Sequence, residues 1–258
     1  MGIIAMKKMV WSVSVFMVLL ATGTTAQVES FMVDSANKHY MEGEYRQAIQ
    51  LYQQVLNKGI EAPGIYYNLG NAYYKTHQLA PAILNYERAL LRNPSNEDIQ
   101  YNLKLARSQI PDKIEKIPEF FINQWVKNLI DTFSSDTWAV ISMIAFALFL
   151  VLFSLYLYSQ RIQVKKSSFW ISMLAVAIAI ASFTFSYKQK QEVMNSKQAI
   201  VFASKVTVKS SPAESGTDLF VIHEGAKVFI ADQMSEWYEI RLADGSQGWL
   251  RKKTVEAI

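Results

Sequence analysis

The chain contains no cysteine among its 258 residues. This absence excludes disulfides, thiol catalysis and cysteine-ligated zinc. Histidine is scarce as well, since His39, His77 and His223 are the only three, and their spacing matches no common metal-ligand motif. Neither a GxxxxGK[ST] phosphate loop nor a GxSxG nucleophile motif occurs. We therefore expect no metal, no cofactor and no catalytic residue, and we predict that the protein is not an enzyme.

The chain also lacks a strong excess of charge of one sign. It has 26 basic and 22 acidic residues, for a formal charge of +4. Two of the basic residues, Lys7 and Lys8, lie in a segment that we predict is removed, which leaves 24 against 22, or +2. A protein that binds nucleic acid normally carries a clustered basic patch, and none is present here. We predict no nucleic-acid partner.

Hydrophobic residues make up 51% of the chain and are concentrated in three runs. The first run follows Lys7-Lys8 and ends before Thr24-Thr25-Ala26. A basic start, a short apolar core and a small-residue exit are typical of a secretory signal peptide, which we predict over residues 1–26. The alternative is an uncleaved membrane anchor.

The second and third runs are Trp138–Tyr158 and Phe169–Tyr187. Each has about 20 uncharged residues, the length of a helix that crosses a bilayer. Aromatic residues near the ends of both runs favour the headgroup region. We predict two transmembrane helices; the alternative is a buried helix pair in a globular protein.

The connection between these runs, residues 159–168, carries Arg161, Lys165 and Lys166 and no acidic residue. The positive-inside rule places such a loop in the cytoplasm, and an exported N-terminus predicts the same orientation. A loop of this length cannot hold a domain, so the segments before and after the hairpin must lie on one side of the membrane. We predict a multi-pass protein of the bacterial inner membrane with both flanking domains in the periplasm.

A repeat of 34 residues runs through the N-terminal part. Tyr67-Asn68-Leu69 recurs as Tyr101-Asn102-Leu103, and the same shift pairs Tyr40 with Tyr74 and Tyr52 with Tyr86. Such a period indicates stacked helix pairs, each covering the apolar face of its neighbour. The positions that carry the pattern resemble the tetratricopeptide repeat (TPR): Leu69, Gly70, Tyr73, Ala82, Tyr86, Ala89 and Pro94.

The resemblance implies an all-α TPR superhelix over residues 27–108, with two repeats and a capping helix. In that family the first helix of each repeat lines a concave peptide-binding face. Asparagine can clamp a peptide backbone, and tyrosine adds contact area at low entropy cost. The groove residues implied here are Asn37, Tyr40, Tyr67, Asn68, Asn71, Tyr74, Tyr101 and Asn102. The alternative is that the tyrosines only pack between helices.

One TPR subtype clamps a C-terminal carboxylate with basic residues. Val33 and Asp98 stand where two of those basic groups would be expected. We therefore do not expect that ligand for this chain.

The linker, residues 109–137, contains an apolar stripe. Pro111 and Pro118 break its first part, and a stripe at spacing four then follows. The stripe consists of Phe121, Trp125, Leu129 and Phe133. It predicts a juxtamembrane amphipathic helix that either lies in the membrane interface or docks on the TPR superhelix.

The C-terminal part, residues 196–258, changes to alternating apolar and polar residues in short strands, which predicts a small all-β barrel. It resembles a bacterial SH3-like domain in Val206–Pro212, His223-Glu224-Gly225 and Gly245–Leu250. The resemblance implies a surface that binds peptides or wall components through exposed aromatic residues, here Trp237 and Trp249. The alternative is that these tryptophans belong to the core.

The order of signal peptide, TPR, membrane hairpin and SH3-like domain resembles the Bat (Bacteroides aerotolerance) family of Bacteroidetes-type bacteria. The resemblance implies membrane or periplasmic partners with von Willebrand A-type domains, an accompanying MoxR-type ATPase, and a link to oxidative-stress survival. We expect a non-catalytic scaffold for protein–protein interaction. The alternative is a sensor that binds peptidoglycan through the SH3-like domain.

The same-side topology can be tested with protease added to intact spheroplasts. We expect both the TPR part and the C-terminal domain to be digested, because the hairpin returns the chain to the side from which it entered. Epitope tags at residue 27 and at the C-terminus would report the two ends separately. Protection of one end and digestion of the other would contradict the topology.

Overall fold

A computed structural model describes residues 31–114, 117 and 120–258. The predicted signal peptide, residues 1–26, lies outside the described residues. The chain divides into two compact units, one ending at Gln78 and the other beginning at Leu79. The two units are described in turn.

From residue 31 onward, where the structure describes it, the first unit consists of three helices: α1 (residues 31–41), α2 (Tyr45–Asn57) and α3 (Pro63–Lys75). Pro63 occupies the first turn of α3, where its missing N–H removes no helical hydrogen bond. Small side chains let the helices approach closely while one large ring fills the space between them. The buried core includes Ala36, Ala48, Tyr52, Val55, Leu69 and Ala72.

The second unit begins with α4 (Leu79–Arg92) and α5 (Glu97–Ser108). Helix α4 ends two residues before Pro94, as predicted. The side chain of Asn96 caps α5 by accepting a hydrogen bond from the backbone N of Ile99 at 3.0 Å. The predicted helical repeat region is confirmed by this order of helices.

Three further helices follow: α6 (Phe121–Ile130), α7 (Ser135–Tyr158) and α8 (Ile162–Met194). Helices α7 and α8 are long and apolar enough to cross a membrane. The connection is shorter than the predicted loop of residues 159–168. Only residues 159–161 separate the two helices. Lys165 and Lys166 therefore lie in the first turns of α8, where no glycine or proline interrupts the helix.

Helices α7 and α8 pack along a seam of small residues. The buried positions of α8 alternate at spacings of four and three from Ser168 through Ser172, Ala175 and Ala179 to Ser182, and Gln189 follows seven residues later. On α7 the buried residues Trp138 and Ala145 are seven positions apart. Small side chains on such a seam allow close backbone approach, as in membrane helix pairs. The Oγ of Ser142 on α7 donates a hydrogen bond to the backbone O of Ala179 at 2.9 Å.

The C-terminal part is an antiparallel sheet of seven strands in the order β3-β2-β6-β5-β4-β1-β7. The strands are β1 (Gln198–Val201), β2 (Lys205–Lys209), β3 (Asp218–His223), β4 (Lys227–Met234), β5 (Trp237–Arg241), β6 (Gln247–Arg251) and β7 (Val255–Ala257). The sheet is not closed, which differs from the predicted barrel. Strand β7 pairs with β1 rather than returning to β3, so β3 and β7 form two edges.

Helix α4 packs on this sheet through a buried carboxylate. Glu87 is 3% exposed. Its Oε2 accepts a hydrogen bond from the Nζ of Lys227 at 2.8 Å, and its Oε1 bonds the guanidinium of Arg107 on α5. Arg88 on the next position donates to the backbone O of Ala257 at 2.7 Å. Hydrogen bonds and ion pairs therefore connect helices α4 and α5 to β4, inside the sheet, and to β7, at its edge.

The linker after α5 also lies on the sheet. The Oδ2 of Asp112 accepts a hydrogen bond from the backbone N of His223 at 2.6 Å, and the N of Ile117 donates to the O of Ala243 at 3.1 Å. Gly225 has φ +86°, and a Cβ placed there would meet the Cγ2 of Ile110 at 2.6 Å. A side chain at this turn would clash with Ile110 of the linker and would also strain the backbone at positive φ. Both effects favour glycine at this position.

Replacing Glu87 with alanine should destabilise the second unit by about 2 kcal/mol, because Arg107 and Lys227 would lose their shared partner. This value lies below that of a fully buried pair, since both cations keep partial solvent access. Urea unfolding of the full chain in nanodiscs would measure the loss. The matched control is Glu256→Ala, whose exposed pair with Arg88 should contribute less than about 1 kcal/mol. Equal effects of the two variants would contradict this role of Glu87.

Candidate functional site

Six of the eight predicted groove residues lie in the first unit. Helix α1 carries two of them and α3 carries four, and all six are half-buried. Partial exposure on the first helices of two consecutive repeats is what a ligand-facing surface requires. The six residues, called the groove set below, are Asn37, Tyr40, Tyr67, Asn68, Asn71 and Tyr74.

Asn37 is the centre of a hydrogen-bond network that joins three helices. Its Oδ1 accepts from the Oη of Tyr52 at 2.6 Å and from the Nδ2 of Asn68 at 2.9 Å. Because Tyr52 is on α2 and Asn68 on α3, the two bonds connect both helices to α1. Asn37 and Asn68 thus have a structural role within the repeat in addition to the predicted binding role.

Tyr52 is the buried member of this network. Burial raises the pKa of its phenol to about 12, and a side-chain hydrogen bond with Asn68 works in the opposite direction. The sequence identified Tyr52 only as a repeat position, since an aromatic at this place predicts packing and says nothing of the hydrogen bond that its hydroxyl makes.

Tyr40 and its neighbours form an aromatic patch. The ring of Tyr40 meets that of Tyr45 edge to face, with centroids 5.3 Å apart. Burial raises the pKa of Tyr40, and the nearby phenols of Tyr45 and Tyr67 raise it further. The phenol of Tyr67 on α3 thus acts electrostatically on Tyr40 of α1, while the ring contact of Tyr40 is with Tyr45.

The other two predicted groove residues, Tyr101 and Asn102, lie on α5 in the second unit. The side chain of Tyr101 is 67% exposed, whereas Asn102 is half-buried. Tyr101 therefore presents most of its ring to solvent and is not a packing residue of its own unit.

The two tryptophans predicted for the surface of the C-terminal domain differ in exposure. Trp237 on β5 is only 8% exposed, and the guanidinium of Arg251 lies 5.0 Å from its ring centroid. Trp249 on β6 is half-buried. Burial of Trp237 favours the core alternative for this residue, because a covered ring offers little area to a ligand.

A group with metal-ligand chemistry lies at the turn between α1 and α2. Its members are His39, Glu42 and Glu44, whose ligand atoms lie within 4.8 Å of one another. The backbone turns at Gly43, with φ +80°, and this brings the Oε2 of Glu44 to 2.5 Å from the Nδ1 of His39. The sequence did not indicate this group, because His39 and Glu44 are five residues apart and such a pair does not share one face of a helix. The carboxylates are exposed, and the pair is already satisfied by its own hydrogen bond.

A cavity of about 320 Å³ lies within the second unit, between the end of α5, the linker and the sheet. Its walls combine basic side chains with aliphatic and aromatic ones. No feature of the sequence pointed to it, since residues more than 100 positions apart form it. The lining includes Arg107, Ile110, Lys113, Ile114, Lys227 and Phe229.

Comparison with known protein families supports the helical repeats. A model described as tetratricopeptide repeat matches residues 63–96, and a second, described as TPR repeat, matches residues 36–76. No curated protein matches the chain significantly. Residues 36–96 therefore carry TPR repeats, which are in general non-catalytic modules for protein–protein interaction.

The raised pKa of Tyr52 predicts how stability changes at alkaline pH. A phenol with a folded-state pKa above its ordinary value of 10.0 contributes stability that is complete below that value and is lost as the pH rises toward 12. We expect the free energy of unfolding to fall more steeply over this range in the wild type than in Tyr52→Phe. Fluorescence-monitored urea unfolding at a series of pH values would measure the slopes.

The control for this measurement is Tyr101→Phe, since Tyr101 is exposed. It should keep the slope of the wild type. A Tyr52→Phe variant with an unchanged slope would contradict the assignment.

Proposed function

We propose that this protein is a non-catalytic scaffold anchored in the bacterial inner membrane, with its TPR groove and its C-terminal domain both in the periplasm. The observation that carries the proposal is the combination, in one chain, of TPR repeats at residues 36–96 with two helices apolar enough to span a membrane. Repeats of this kind hold other proteins, and the helices would keep the bound protein at the membrane surface.

The groove set would hold an extended segment of a partner protein. The bond between Asn37 and Asn68 uses the carbonyl of Asn37 and an N–H of Asn68, which leaves the amide N–H groups of Asn37 and the carbonyl of Asn68 outside this bond. An amide offers both donors and an acceptor to a peptide backbone. Tyr40 and Tyr67 are half-buried and would supply aromatic contact area to the ligand. Because Asn37 is fixed by two bonds, it loses little conformational entropy when a ligand arrives.

The C-terminal sheet would supply a second contact as an SH3-like domain. It is held against α4 by Glu87 and Arg88, so it does not move freely on a tether. Two weak sites kept at the same membrane raise the effective concentration of each partner at the other site. Neither site then needs high affinity by itself.

The partners are proposed from the order of the segments, which resembles that of BatE-type members of the Bat family. They would be membrane proteins with von Willebrand A-type domains that act together with a MoxR-type ATPase, in a complex linked to aerotolerance. The alternative, a peptidoglycan sensor, is less well supported, since burial of Trp237 leaves Trp249 as its partly exposed tryptophan.

Partner capture can be tested by crosslinking in intact membranes followed by affinity purification and mass spectrometry. We expect the double variant Asn71→Ala, Tyr74→Ala to recover at least about tenfold less partner, since truncating one central hot-spot side chain of an interface costs about 2 kcal/mol or more. Circular dichroism should show that the variant remains folded.

The matched control is Gln50→Ala, Gln54→Ala, at two exposed positions of α2. Its partner recovery should equal that of the wild type. If the groove variant captured as much as this control, the groove would not be the binding site. If it unfolded, the residues would have a packing role instead.

A further inference from the structure

Helix α6 has an apolar half on which four side chains are exposed, while Val126 and Ile130 are half-buried. None of its residues is buried in the described chain. On the helix surface the polar side chains of Asn123, Gln124, Lys127 and Asn128 occupy one half, and all apolar side chains occupy the other. The exposed fractions on the apolar half are 71% for Phe121, 50% for Ile122, 65% for Trp125 and 40% for Leu129.

The C-terminal end of α6 is attached to the membrane hairpin. Gln189 of α8 is 5% exposed, and its Nε2 donates to the backbone O of Ile130 and to that of Phe133, each at 2.9 Å. The Nε1 of Trp138 on α7 donates to the same O of Ile130 at 2.8 Å. These bonds satisfy carbonyls that a helix end otherwise leaves without partners.

The attachment fixes the depth of α6 relative to the hairpin. Only residues 131–134 separate α6 from α7, and four residues span at most about 14 Å. Phe133 packs edge to face on Trp138, and Trp138 packs in the same way on Phe185 of α8, both with centroids 5.1 Å apart. A cluster of aromatic rings at the end of two apolar spans is typical of the headgroup level of a bilayer.

We propose that α6 lies in the membrane interface, with Phe121, Ile122, Trp125 and Leu129 inserted among the lipids of the bilayer that the hairpin spans. The occupant of the apolar half is lipid rather than protein because the end of α6 is bonded to the same end of both apolar helices, next to their aromatic cluster, which would place its exposed side chains at the headgroup level. Lys127, on the polar half, faces water and the phosphates. The proposal rests on the membrane anchorage of the proposed function and is independent of the groove.

The absence of cysteine allows a direct test by site-directed spin labelling of the full chain in liposomes. A nitroxide would be attached to Ile122→Cys on the apolar half and to Gln124→Cys on the polar half. The readout is the accessibility of each label to oxygen, which dissolves in lipid, and to a water-soluble nickel chelate. We expect higher oxygen than nickel accessibility at position 122 and the reverse at position 124.

Two outcomes would overturn the proposal. Equal nickel accessibility at both positions would place α6 in water, and protection of position 122 from both reagents would place it against protein. A label at Ile144→Cys, in the middle of α7, separates these results from failure of the membrane anchorage itself. Nickel access at position 144 would show that the hairpin does not span the bilayer.

The positioning role of Gln189 has its own test in the same labelled protein. In Ile122→Cys, the substitution Gln189→Leu should shift the accessibility ratio toward nickel, because the end of α6 would no longer be held at the hairpin. Gln191→Leu serves as the control, since the amide of Gln191 bonds Tyr187 on its own helix. If Gln189→Leu left the ratio unchanged, Gln189 would have no part in positioning α6.

Discussion

Close packing of α7 against α8 brings both ends of the hairpin to one place. Small residues along α8 allow the approach, and a connection of three residues enforces the reversal. The Oγ of Ser135, at the start of α7, donates to the backbone O of Ser186 near the end of α8 at 3.0 Å. The chain that enters through α6 and the chain that leaves toward the sheet are therefore neighbours, and the contacts of α4 with the sheet become possible.

Charge has a different role in each part of the second unit. Along the hairpin, charged groups are confined to the ends, which is the distribution that a membrane-spanning helix pair would need. Between α4 and the sheet, a single buried carboxylate accepts bonds from two cations on separate elements. Such a group specifies one arrangement of helix and sheet, because any displacement would leave Glu87 buried without a partner.

The sequence was sufficient for features that depend on local pattern. The 34-residue period predicted the helix pairs, uncharged length predicted α7 and α8, and spacing at four residues predicted α6. The side chain of Ser134, a residue type favoured at this position, caps α7 by accepting a hydrogen bond from the backbone N of Thr137. In each case the signal lies in the physics of one element, such as its period, its length or its first turn.

Features that join distant segments could not be predicted in this way. Nothing local marks Glu87 as the partner of Lys227, which is 140 residues away. The open sheet was expected to be a barrel. Closure depends on which strand pairs with the last strand, β7, and its pairing with β1 joins segments that are distant in the sequence. The burial of Trp237 likewise depends on Arg251, which covers its ring from a neighbouring strand.

An open sheet has two unpaired edges that could recruit strands from other copies of the protein. Here each outer strand is partly blocked by a group from outside the sheet. Arg88 occupies the backbone O of Ala257 on β7, and Asp112 occupies the backbone N of His223 on β3. These two side chains therefore attach helix and linker and also occupy backbone groups that a second copy would need for edge-to-edge pairing.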